Sequence, residues 1–103
     1  MRGFDRIEGV ALRPGDAGLE AELRLDAHAC VRFGIAREAP GDGVEVWLED
    51  TRGMVMVHQA GRTPMLVARG GPTCVRDAGA YRVRLRSLGS GGGEVRLAAW
   101  KAR

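Results

Sequence analysis

Residues 80–86 read AYRVRLR, so that Tyr81, Val83 and Leu85 alternate with Arg82, Arg84 and Arg86. A repeat of two is the repeat of a β-strand, which sends the three apolar side chains to one face and the three guanidiniums to the other. The same alternation recurs outward from this stretch. Leu19, Ala21, Leu23 and Leu25 alternate with Glu20, Glu22, Arg24 and Asp26. Ala29, Val31, Phe33 and Ile35 follow the same pattern, as do Val44, Val46 and Leu48 against Glu45, Trp47 and Glu49. Val95, Leu97 and Ala99 alternate with Arg96, Ala98 and Trp100. Short apolar runs at Val10–Leu12, Met54–His58 and Met65–Ala68 read as further strands.

Between the runs lie RPGDAG at 13–18, APGDG at 39–43, DTRG at 50–53, RGGP at 69–72 and GSGGG at 89–93. Glycine admits positive φ, and proline fixes φ and removes a donor, so these clusters end strands. Short strands at regular spacing predict an all-β chain: a single antiparallel, jelly-roll-like β-sandwich over residues 1–103, with roughly eight or nine strands. Two hairpins are expected. One is residues 43–59, turning at Asp50–Gly53; the other is residues 80–100, turning at the glycine run. Val44, Val46, Leu48, Tyr81, Val83, Leu85, Val95 and Leu97 are the expected core.

The net charge of +3 conceals an imbalance. Residues 1–51 carry six arginines and eleven acids, net −5, and residues 52–103 carry nine arginines and Lys101 against Asp77 and Glu94, net +8. The second expected hairpin gathers Arg82, Arg84, Arg86 and Arg96 on its outer face, with Trp100 at the end. Like charges on neighbouring strands repel unless something answers them. Two answers are open. Glu20, Glu22, Glu45 and Glu49 can form an internal ladder, or the carboxylates belong to an acidic partner for which this row is the docking face. Trp47 and Trp100 are the outward aromatic anchors of that second reading, since Trp and Arg are enriched at interface centres.

Other chemistry finds little footing. Ser87 and Ser90 lie in or beside the glycine turn, not next to a histidine base. Glu20/Glu22 and Glu49/Asp50 fall on strand faces and at a turn, with nothing to mark an acid–base pair. GSGGG lacks the lysine and the following helix of a phosphate loop. No catalytic residue, metal ligand or cofactor is therefore expected. His28 and Cys30 are expected on one side of one strand, but their spacing to His58 and Cys74 matches no common zinc pattern. Cys30 and Cys74 can pair if their strands are adjacent; the expected state is two free, buried thiols. Nucleic acid is disfavoured despite a pI near 9.5, because five aromatics, two of them on the apolar face, make a poor stacking platform. There is no apolar run of membrane-spanning length, and charges in MRGFDRIEGV occupy the place of a signal core, so a cytosolic origin is expected.

The segment Gly43–Trp100 resembles small β-sandwich virion proteins of tailed phages, of the head-decoration or accessory type. The resemblance rests on GVEVWLED, the glycine turn DTRGM, the strand Gly79–Leu85 (GAYRVRL), the turn at 87–93 and the final VRLAA at 95–99. It is weaker to the bacterial pre-peptidase C-terminal domain, whose paired aspartates are missing here. The first resemblance implies a non-enzymatic structural protein, made in the host cytoplasm and located in the virion. Its partners would be a capsid or other virion protein, with self-association beside it. The alternative is a stand-alone carbohydrate- or protein-binding β-sandwich module.

Overall fold

A computed structural model describes residues 3–15, 18–37, 43–68, 70–88 and 94–103. The chain is all-β, with ten strands: β1 (Phe4–Arg6), β2 (Arg13–Gly15), β3 (Gly18–Leu25), β4 (Cys30–Arg37), β5 (Val44–Glu49), β6 (Val55–Gly61), β7 (Met65–Val67), β8 (Thr73–Cys74), β9 (Gly79–Ser87) and β10 (Val95–Ala102). They form two antiparallel sheets. Sheet A has the order β1-β10-β4-β7, with β8 also on β4, and sheet B has the order β2-β3-β9-β5-β6. Setting aside β2 and β8, the orders 1-10-4-7 and 3-9-5-6 are those of a jelly roll, the double Greek key of two four-stranded sheets. No helix long and apolar enough to cross a membrane occurs among the described residues.

The alternating residues meet between the sheets. Leu23, Leu25, Val44, Val46, Leu48, Tyr81, Val83 and Leu85 of sheet B are buried against Val31, Phe33, Ile35, Met65, Val67, Leu97 and Ala99 of sheet A. Val95, expected in the core, is half-buried against its edge. Each fully buried Leu, Val, Ile or Phe contributes about 1.5–3 kcal/mol. Tyr81 is buried too, and its hydroxyl donates to the Asp77 carbonyl four residues upstream, the tyrosine-corner arrangement of Greek-key sandwiches.

The hairpin expected over residues 43–59 forms, with β5 paired to β6 from Val44↔Gly61 to Glu49↔Val55. Its turn is tied by the Asp50 carboxylate, which accepts from the Arg52 and Met54 amides at 2.8 and 2.9 Å. Gly53 sits there at φ 83°, where a side chain would be strained.

The hairpin expected over 80–100 does not form. β9 pairs with β3 and β5, so both of its edges are occupied, and β10 lies in the other sheet between β1 and β4. Both strands turn an apolar face to the core, and they do so from opposite sheets instead of edge to edge in one. The glycine run 89–93 that joins them, and most of the turn at 39–43, lie outside the described residues.

The strand count differs from eight or nine because β1 and β8 are too short to show alternation, and the run Val10–Leu12 is not a strand: β2 begins at Arg13. β7 and β8 together make one interrupted edge along β4. Phe33 faces Val67, so unbroken register would set Cys30 opposite residue 70; it faces Cys74 instead, and four residues are looped out. This excursion brings Cys30 and Cys74 into a disulfide, with Cα atoms 3.9 Å apart. The expectation of two free thiols is thereby corrected. A Cys2His2 site has no thiols left, and His28 sits exposed in the turn after β3 at φ 66°, not on a strand with Cys30.

Candidate docking surfaces

The outer face of sheet B carries the arginine row. β9 lies between β3 and β5, so Arg82, Arg84 and Arg86 have the acids of β3 on one side and those of β5 on the other. Each finds a carboxylate. Arg84 Nη1 donates to Glu49 Oε2 at 2.7 Å, Arg86 donates to Glu45, and Arg82 Nε lies 4.0 Å from Glu20 Oε2. The like-charge row of the sequence thus becomes the middle column of an alternating pattern. The Glu49 carboxylate is the most enclosed of the three, with 9% of its side chain exposed.

Trp47 belongs to the same cluster. Its ring stacks on His58 at a centroid distance of 5.3 Å, and the guanidiniums of Arg84 and Arg86 stand 5.8 and 5.9 Å from it. His58 Nε2 is 2.7 Å from Glu45 Oε2. The His58 hydrogen bond is the largest influence holding the Glu45 carboxyl below the ordinary carboxylate range; desolvation opposes it and Arg86 reinforces it. Trp47 is therefore half-buried among its own neighbours. A polar cleft of 310 Å³ beside the ladder is lined by Glu20, Glu22, Glu49, Asp50, Arg13 and Arg82 among others. No group of His, Cys, Asp and Glu among the described residues is arranged to hold a metal ion.

The six residues expected to share one docking face are split. Arg82, Arg84, Arg86 and Trp47 stand on sheet B, whereas Arg96 and Trp100 stand on the outer face of sheet A, on β10. There Trp100 is opposite Arg6 of β1 on one side and Arg32 of β4 on the other. The Arg6 guanidinium lies 6.0 Å from the Trp100 ring, and that of Arg32 lies 5.7 Å from the Phe4 ring. Among the described residues no carboxylate is within ion-pair distance of Arg6 or Arg32, and Arg96 has only its chain neighbour Glu94, at 3.6 Å. Next to this row runs a groove of 530 Å³ whose floor is Gly34 and Ala98 and whose walls include Trp100, Leu66 and Pro64.

A third surface is the tip of the β5–β6 hairpin. Met54, Val55 and Met56 are 66%, 53% and 38% exposed, the large apolar side chains left uncovered among the described residues. The β5–β6 register shifts beside them, between Leu48 and Glu49, and this bulge turns consecutive side chains outward. Arg32 and Gly34 were missed because alternation marks them as outward but cannot say that β1, β10 and β4 are neighbours, and Arg6 was missed because three-residue β1 shows no alternation. Comparison with family models, curated proteins and solved structures gives no match for this chain.

Proposed function

We propose that the chain is a non-enzymatic structural protein that docks on a larger protein assembly through the tip of its β5–β6 hairpin. The carrying observation is the contiguous exposure of Met54, Val55 and Met56 at the start of an edge strand, whereas the other large apolar side chains among the described residues are covered. Burying each on a partner is worth about 1.5–3 kcal/mol. Unbranched methionines adapt to the surface they meet. The Asp50 turn holds the tip in place before binding, which lowers the ordering cost of association.

The assembly we favour is a tailed-phage-like virion, with this chain as a head-decoration or accessory component on a capsid or tail lattice. Three things support that choice: the sequence resemblance of Gly43–Trp100, a jelly-roll strand order that recurs in viral capsid domains, and a disulfide suited to an oxidising exterior. The strand order is a likeness of architecture, which many functions share.

Mass analysis of purified particles tests the assignment, and absence of the chain from them would reject the virion. Rebinding of Met54→Glu and Met56→Glu variants to stripped particles tests the tip. Both substitutions fall on exposed positions, so thermal midpoints should stay near wild type while binding drops at least about tenfold, the loss of one buried apolar anchor. Wild-type binding by folded variants would reject the tip as the docking site.

A further inference from the structure

The arginines of sheet A pose the question that those of sheet B answer for themselves. On sheet B every guanidinium of β9 has its own carboxylate. On sheet A, Arg6 and Arg32 flank Trp100 with none among the described residues, and Arg96 adds a third charge on the same face, four residues before Trp100 on β10. A basic row of three arginines with Glu94 as its one ion-pair partner among the described residues, beside an apolar groove, is complementary to a ligand that brings carboxylates and one bulky apolar group.

The groove itself comes from side-chain size. Ala98, Gly34 and Leu66 are opposite one another across β10, β4 and β7. Position 34 has no side chain and position 98 only a methyl, so the floor is lower than the neighbouring indole. The Trp100 ring leans over that gap: its Cζ3 would be 3.8 Å from a Cβ built at Gly34. The resulting 530 Å³ is room for a leucine- or phenylalanine-sized group.

We infer that the outer face of sheet A binds an acidic polypeptide segment of a partner protein, with an apolar side chain of that segment on the Gly34–Ala98 floor and its carboxylates on Arg6 and Arg96. Charge and lining argue for a polypeptide over the other anions. A nucleic acid needs a continuous basic track and several stacking rings, whereas sheet B alternates acid and base and this face offers Trp100 and Phe4, each beside an arginine. A sugar needs converging polar side chains, and the groove walls are Pro64, Leu66 and Trp100. A second copy could not offer Glu20, Glu45 or Glu49 without breaking the pairs its own arginines on sheet B make. This surface is separate from the hairpin tip, and neither reading depends on the other.

The test uses the whole chain and two synthetic peptides, one of glutamates only and one with a leucine at its centre, together with an oligodeoxythymidylate and a hyaluronate oligosaccharide. Binding is followed by calorimetry and by amide chemical shifts. The leucine-centred peptide should bind about tenfold more tightly than the glutamate peptide, the worth of one modest apolar contact. Ala98→Leu, which fills the floor, should erase that advantage and leave the glutamate peptide unchanged. Arg6→Glu and Arg96→Glu should each weaken both peptides by about tenfold or more, and Arg82→Glu on sheet B should do so only slightly. Having two reversal sites keeps the test decisive if Arg6→Glu unravels β1, and thermal melts identify that case. Equal affinity for the two peptides, indifference to Ala98→Leu and to folded Arg→Glu variants, or tighter binding of the oligonucleotide or the glycan would overturn the inference.

Discussion

Replacing Arg84 by methionine should strand a buried carboxylate. Glu49 is the buried charged residue among those described, and Arg84 is its ion-pair partner at 2.7 Å. Breaking a fully buried pair from one side costs about 3–5 kcal/mol. Here the Arg84 side chain keeps 35% exposure against 9% for Glu49, so water screens part of the interaction, and the expected loss is about 2–3 kcal/mol. Methionine retains much of the apolar stem beside Trp47, so the loss isolates the charge. For a domain of this size 1 kcal/mol moves the thermal midpoint by about 4–8 °C, giving a drop of about 10–20 °C by circular dichroism. Arg82→Met is the internal control. Its pair with Glu20 is 4.0 Å long and 58% and 24% exposed, so its loss should cost about 0–1 kcal/mol. Exchanging both members, Arg84→Met with Glu49→Leu, should recover most of the stability, because an apolar pair often replaces a buried ion pair without cost. If Arg84→Met falls within about 0.5 kcal/mol of Arg82→Met in urea titrations, the carboxylate does not depend on its arginine and the ladder argument fails.

The disulfide closes a sequence separation of 44, so a Cys30→Ala, Cys74→Ala chain should lose about 2–4 kcal/mol in urea titrations. Thiol titration of the denatured, unreduced protein should find no free sulfhydryl, and two after reduction; free thiols before reduction would contradict the pairing. Glu45 makes stability depend on acid. A carboxyl lowered on folding adds stability above its unfolded pKa and loses it as pH falls through the folded value. The urea midpoint should therefore decline as pH drops below about 4.3, the usual glutamate value, and His58→Gln should flatten that decline.

Strands with strict alternation were legible because burying one face of a sheet leaves no other placement for their apolar residues, and β3, β4, β5, β9 and β10 are all of this kind. The turn at Asp50–Gly53 was legible for a local reason: an acid that caps amides and a glycine that accepts positive φ. What one strand's pattern does not encode is its neighbour. The sequence adjacency of β9 and β10 suggested a hairpin, whereas their shared need to face the core put them in opposite sheets. That choice separated Arg96 and Trp100 from the other arginines, and it brought Glu20, Glu45 and Glu49 within reach of β9. The cysteine pairing was hidden by the same limit, because it depends on a four-residue excursion between β7 and β8 that no alternation records.

The place of β10 bears on the order in which the molecule can be made. It is the last strand in sequence, yet it sits inside sheet A, with seven register pairs to β4 and three to β1. A growing chain can zip β3, β9, β5 and β6 together once residue 87 has emerged, while β1 and β4 must wait with a vacant slot between them. During that wait Val31, Phe33 and Ile35 border an open slit, and any extended strand of matching pattern is a competitor for it. Filling the slot is what joins β1 to β4 in one sheet. A chain stopped at residue 88 and a separate peptide of residues 94–103 would make a two-piece lock, and their reunion would report on that step alone.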